Sequence, residues 1–228
     1  MVGYASVENV DSDLDLIAAL VASNDAATPS YITMTSDVQI DKVNLSSNGY
    51  GATGISVKNG STLDGGGHIL DIQGAGGTWD SGINVTSGTI KNITVTGAFR
   101  GIFIKKGTEK VVLDNVTTTG TVYTISCDEA SNQGLEAYNS KFYGWTSFAK
   151  TLGTAYFEGC TFGAGSGYNF SRPYAPTTYV NCTFEAGHKM DPRAAVSFEN
   201  CTYNGVALTS ENIATLVASN AQNVKEVK

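Results

Sequence analysis

Across the middle and C-terminal half of the chain, apolar and polar positions alternate in short bursts that return every 19 to 24 residues. The copies read IKNITVTG (Ile90 to Gly97), LDNVTTTG (Leu113 to Gly120), AYNSKFYG (Ala137 to Gly144), FEGCTFGA (Phe157 to Ala164), VNCTFEAG (Val180 to Gly187) and FENCTYNG (Phe198 to Gly205). They align on Asn92, Asn115, Asn139, Gly159, Asn181 and Asn200. One residue further come Ile93, Val116, Ser140, Cys160, Cys182 and Cys201; three further come Val95, Thr118, Phe142, Phe162, Phe184 and Tyr203. Thr94, Thr117, Lys141, Thr161, Thr183 and Thr202 lie between them. An apolar, polar, apolar step is the period-two mark of a half-buried strand, and its return at this interval is a solenoid signal. A single repeat cannot bury its own apolar side, so the copies must stack and like residues must form columns.

Other stretches supply the remaining strands. Gly54 to Val57, Gly82 to Val85, Gly101 to Ile104 and Tyr123 to Cys127 predict a further strand on each turn, with Ile55/Val57, Ile83/Val85, Ile102/Ile104 and Ile125/Cys127 inward. Phe148 and Phe170 are the expected inward residues of the same strand on later turns. Residues 11–27, DSDLDLIAALVASNDAA, predict an N-terminal cap helix: Asp11 or Ser12 can cap it, acidic residues crowd its first turn, and Leu14, Ile17, Leu20 and Val21 share a face. Residues 209–220 predict a second cap helix, whose IATLVASN echoes IAALVASN in the first. The reading is one domain over 1–228, with the solenoid at 31–206.

The opening helix, then ITMTSDV, GISV, TLDGGGHIL and the asparagine-bearing turns together resemble the right-handed parallel β-helix superfamily that includes pectin and pectate lyases, polygalacturonases and phage tailspikes. The resemblance spans about Asp11 to Gly205. It implies an all-β, right-handed parallel β-helix with short capping helices at both termini, and an asparagine column at the bend between two strands of each turn. Asn tolerates the left-handed backbone such a bend needs, and Gly159 replaces it once for the same reason.

Composition narrows the partners. A net charge of −7 with 14 Lys and Arg argues against a nucleic-acid partner, because affinity for phosphate backbones rests on clustered cations. No apolar run approaches the ~20 residues of a membrane span. No signal peptide is legible at the N-terminus, so synthesis in the cytoplasm is expected. Cys160, Cys182 and Cys201 share one register and are expected to be buried free thiols rather than disulfides or metal ligands. Sequons at Asn59, Asn84, Asn92, Asn115, Asn169, Asn181 and Asn200, with Asn44 as an eighth, read mainly as by-products of a repeat whose asparagines turn inward.

Catalytic signatures of the superfamily are missing. The acid motifs of polygalacturonases do not occur, and Gly187-His188-Lys189 stops short of G-H-G. Asp128 and Glu129 are adjacent, so on a strand they face opposite ways. Asp64 and Asp71 read as turn residues, and His68 and His188 as isolated histidines. No cofactor or metal site is expected. The candidate ligand-binding residues are Phe103, Lys105, Asp128, Trp145 and Arg172, with Arg100, Tyr143 and Tyr174 nearby, because aromatic rings beside hydrogen-bonding groups suit sugars. The expected function is a non-catalytic structural or adhesive module on a cell surface or a phage virion, as head decoration or tail appendage. Its partner would be a glycan or cell-surface polysaccharide, and its assembly a homotrimer or virion shell. The alternative is a polysaccharide lyase or glycoside hydrolase of the same superfamily.

Overall fold

The structure, a computed structural model, describes residues 3–41, 54–73, 81–128, 133–148 and 153–228, without the side chains of Gln73 and Phe148. Asn44 and Glu129 lie outside the described residues. The chain winds into a parallel β-solenoid of about seven turns. One side is a seven-stranded sheet: Ile55–Val57, Ser81–Val85, Arg100–Ile104, Tyr123–Cys127, Trp145–Phe148, Phe170–Pro173 and Lys189–Met190. A sixteen-stranded sheet forms the rest and folds at a corner into two faces. Thr62–Gln73, Gly88–Thr96 and Val111–Thr118 run through that corner as single bent strands. Later turns break there into pairs such as Ala155–Glu158 and Thr161–Gly163.

Strict in-register pairing turns the sequence repeat into columns. Ile55, Ile83, Ile102 and Ile125 stack on the inner side of the seven-stranded sheet, and all are fully buried. Facing them, Phe142, Phe162 and Phe184 align on successive turns beside Phe157, Tyr179 and Phe198. Phe162 and Phe184 stack at 5.1 Å, Phe157 and Tyr179 at 5.3 Å. Phe170 departs from the expected pattern: Ser171 and Pro173 are the buried residues of its strand, and Phe170 faces outward opposite Trp145. Cys160, Cys182 and Cys201 are buried and unbridged. Each sulfhydryl lies 3.4–3.5 Å from a carbonyl of the preceding turn, so the thiols pack as small, weakly hydrogen-bonded hydrophobes.

The corner is where the sequence repeat is most literal. Asn92, Asn115, Asn139, Asn181 and Asn200 take φ between 49° and 53°, and Gly159 takes 63° in the same place. Their side chains lie on the outer surface, contrary to the inward orientation expected. There Asn115 Nδ2 donates to Asn92 Oδ1 at 3.0 Å, and Asn200 Nδ2 to Asn181 Oδ1 at 2.6 Å. Left-handed backbone carries the chain round the bend, and in these two pairs the amides hydrogen-bond from one turn to the next. Asp64 continues the ladder below, accepting from Asn92 Nδ2, the Gly66 amide and the Tyr31 hydroxyl. In the Gly65-Gly66-Gly67 bend a Cβ on Gly65 would lie 2.5 Å from Asn92 O and from Ile93 Cβ, so no side chain fits there.

The two ends differ. Asp13–Asp25 is helical, with Ser12 Oγ capping the Asp15 amide. It packs chiefly against Ile55–Val57, the terminal strand of the seven-stranded sheet. Its buried face is Leu16, Ile17, Leu20 and Ser23; Leu14 and Val21, expected on that face, are exposed. A strand the sequence pattern did not reveal, Val7–Val10, precedes it and pairs with Tyr31–Met34. In place of the expected helix over 209–220, the C-terminal segment forms 3-10 turns at Ile213–Thr215 and Ala221–Asn223. The final strand Val224–Val227 then pairs with Val196–Glu199, so the solenoid extends beyond the expected 31–206 at both ends.

Candidate functional site

The outer surface of the seven-stranded sheet carries two neighbouring columns. One runs Ser81, Arg100, Tyr123, Trp145, Phe170, Lys189; the other runs Ser56, Asn84, Phe103, Ser126, Ser147, Arg172. Four of the five candidate residues occupy or adjoin these columns with defined contacts: Phe103, Lys105, Trp145 and Arg172. Asp128 joins them through Arg100, whose guanidinium reaches Ser126 Oγ at 3.1 Å and Asp128 Oδ2 at 2.8 Å. All three arginines of the chain, Arg100, Arg172 and Arg193, belong to this region.

Phe103 is not the open stacking platform its sequence position suggests. It is 8% exposed, beneath the Arg100 guanidinium at 4.7 Å and the Lys105 ammonium at 4.2 Å from its ring centroid. The two cations cover the ring: Arg100 is itself buried and paired with Asp128, whereas Lys105 is partly exposed. Trp145 is likewise enclosed. Tyr123 stacks on it at 4.9 Å and Tyr168 at 5.5 Å, Phe170 meets it edge-on at 5.7 Å, and Arg172 lies at 5.5 Å. A ladder of this kind offers a ligand ring edges rather than free faces.

Polar groups decide what those edges can bind. Trp145 Nε1 is buried with no hydrogen-bond partner among the described residues. Arg172 uses its Nε on Asp191 at 3.2 Å. Asp191 also accepts from Arg193, Ser219 and Asn220, so its carboxylate locks both guanidiniums in place. Burial works to raise the Asp191 pKa, but the bonds from Ser219, Arg193 and Asn220 outweigh it and hold the group down at about 2. The surface is therefore rich in donors and cationic groups, with its carboxylates engaged by arginine. Such a face complements acceptor-bearing, anionic groups.

Sequence reasoning missed Tyr123, Tyr168, Asp191 and Arg193; the spacing of Asp191 and Arg193 in MDPR was the one local signal. It also underrated His188. Ser171 Oγ lies 2.8 Å from His188 Nε2, and Asn169 Oδ1 lies 2.7 Å from Nδ1. Asn169 Oδ1 can only accept, so Nδ1 carries the proton and Nε2 accepts from Ser171. The order resembles a serine nucleophile with its base and orienting group. However, Ser171 and His188 are both 0% exposed, against Phe162 and Phe184, so no substrate reaches the hydroxyl. The relay is a way of satisfying polar groups inside the core.

No family model, curated protein or solved structure gives a significant match to this chain. Among the described residues, no helix is long and apolar enough to cross a membrane.

Proposed function

We propose that the protein is a non-catalytic surface β-helix that binds a saccharide along the outside of its seven-stranded sheet. The observation that carries the reading is the partly exposed Arg172 guanidinium, held over the Trp145 ring and fixed there by Asp191. A carboxylated or sulfated glycan supplies acceptors for Arg172 and Lys105, while the edges of Tyr123 and Tyr168 contact its apolar patches. Lys105 and the Arg100–Asp128 pair extend the same face. The parallel β-solenoid, together with sequence motifs that resemble those of the pectin-lyase-like β-helices, supports a carbohydrate partner and a place on a phage particle or a cell surface. That support is an analogy of architecture. Affinity per site is weak, because a shallow face leaves much of a ligand in water. Several linked copies, as in a trimeric appendage or a virion shell, would make attachment effective.

A glycan array probed with wild type, Arg172→Ala and the double variant Trp145→Ala/Lys105→Ala tests the reading. Wild type should retain carboxylated or sulfated glycans, and both variants should lose about tenfold or more. Binding to no glycan, or equal binding by the variants, would show that the face is ordinary surface. Release of reducing ends or of unsaturated products from a polysaccharide would instead favour a hydrolase or lyase, with Asp128→Asn as the first variant to make.

A further inference from the structure

One face of the sixteen-stranded sheet is open at both ends. Its first strand is Val7–Val10 and its last is Val224–Val227. Among the described residues neither has a strand on its outer side. The other faces end differently: the helix Asp13–Asp25 packs on Ile55–Val57, residues 216–218 bond to Met190, and the remaining face runs from Val38–Asp41, paired only with Thr62–Gln73 among the described residues, to the antiparallel strand Val206–Ala207. Exposed strand edges recruit further strands, and proteins usually block them. We propose that these two edges join copies of this chain head to tail, Val224–Val227 of one copy pairing in parallel with Val7–Val10 of the next.

Three observations select a second copy as the occupant. First, the solenoid is a parallel stack, so a copy placed on the same axis presents Val7–Val10 in the direction that Val224–Val227 requires. Second, the side chains correspond. Val10 is a core residue and Val227 packs against the core, so the register that superposes them aligns VENV with VKEV. Asn9 then lies opposite Glu226, and Lys225, the extra residue at the bulge between Val224 and Glu226, comes beside Glu8; all four residues are exposed. More broadly, residues 3–41 hold seven acidic side chains and no Lys or Arg, which equals the formal net charge of the whole chain, −7. The opposite end offers Lys189, Lys225 and Lys228 against Glu211 and Glu226. Third, the octapeptide IAALVASN that precedes Tyr31–Met34 returns as IATLVASN before Val224–Val227. Tyr31–Met34 is paired on both edges, by Val7–Val10 and by Thr62–Gln73, whereas its counterpart is paired on one. Because the contact is head to tail along the stacking direction of the strands, it makes an open filament rather than a closed ring.

Sedimentation velocity and negative-stain microscopy of the full chain test this. Wild type should form concentration-dependent rods that lengthen by whole solenoids along their axis and shorten as salt is raised. Glu8→Lys and Lys225→Glu should each lower the association constant by about tenfold, and the double exchange Glu8→Lys/Lys225→Glu should restore it. Asn9→Pro, which removes an edge N–H and blocks strand addition, should leave monomers with unchanged circular dichroism. Monomers at every concentration would overturn the proposal. So would side-by-side oligomers, or rods indifferent to the single charge reversals. Glycan binding by the monomer is a separate property, so failure of either idea leaves the other standing.

Discussion

Single positions inside the solenoid carry unequal weight because each touches the turn above and the turn below. Phe162 stacks on Phe184 and meets Phe142, Phe157 and Tyr179, while its neighbour Thr161 is only half-buried. Phe162→Ala should therefore cost about 3–5 kcal/mol and Thr161→Ala no more than about 0.5 kcal/mol in denaturant melts. Equal losses would contradict the assignment of inner and outer faces. His188 responds to pH instead. Burial pushes its pKa from 6.5 down to about 3, so the unfolded chain takes up a proton before the folded one does. Stability should be full above about pH 6.5 and fall as pH drops toward about 3, by up to about 5 kcal/mol. His188→Gln should flatten that portion of the profile in urea melts between pH 7 and pH 4. A profile as steep as wild type would place the acid sensitivity elsewhere.

Elements show how local chemistry is passed along the axis. The corner column of asparagines has one exception, Gly159, where an added Cβ would lie 2.9 Å from Asn139 Oδ1. That contact is with the far end of a side chain, and the backbone is already in the region Asn adopts on the other turns. Gly159→Asn should donate its amide to Asn139 Oδ1 as Asn115 does to Asn92, raising stability by about 0.5–1 kcal/mol. Gly159→Val at the same φ should be destabilising by about 1–3 kcal/mol. Thermal melts of the two variants check the contrast. The N-terminal helix acts on a larger scale, burying Leu16, Ile17 and Leu20 against the terminal strand of the seven-stranded sheet. Deleting residues 1–29 should bare the Ile55–Val57 edge and yield aggregates in light scattering. A monodisperse truncated chain would show that the helix is dispensable as a cover.

For the whole molecule, nearest-neighbour stacking means that opening begins at the ends. Cys160, Cys182 and Cys201 sit on successive turns approaching the C-terminus, and burial pushes the Cys182 thiol well up, leaving it unreactive in the folded state. Thiol labelling followed by peptide mass spectrometry should be slow throughout. Cys201 should label first and Cys160 last as the final turns fray. Rapid native labelling of all three would mean the column is open to solvent, and one shared slow rate would mean the molecule opens as a unit.

The solenoid, its turn lengths and most of its inward columns were legible in the order of residues alone. A period-two strand repeated every 19 to 24 residues admits only one way of burying its apolar side, which is stacking on itself. Parallel pairing then carries each column from one turn to the next, so Phe103 lies below Ser126 as the pattern requires. The five candidate residues were legible as one face for the same reason. Their contacts were not, because period two states which side a residue faces and is silent about what lies over it. Arg100 and Lys105 covering Phe103, Tyr123 and Tyr168 enclosing Trp145, and Asp191 binding Arg172 all depend on side-chain packing between turns and on a C-terminal segment remote in sequence. The ends were decided in the same way. IATLVASN copies a helix-forming octapeptide, yet it adopts only a 3-10 turn, because its backbone bonds instead to Met190 and the chain then pairs its last strand with Val196–Glu199. Intrinsic propensity is a fraction of a kilocalorie per residue, and docking onto an open sheet outweighs it.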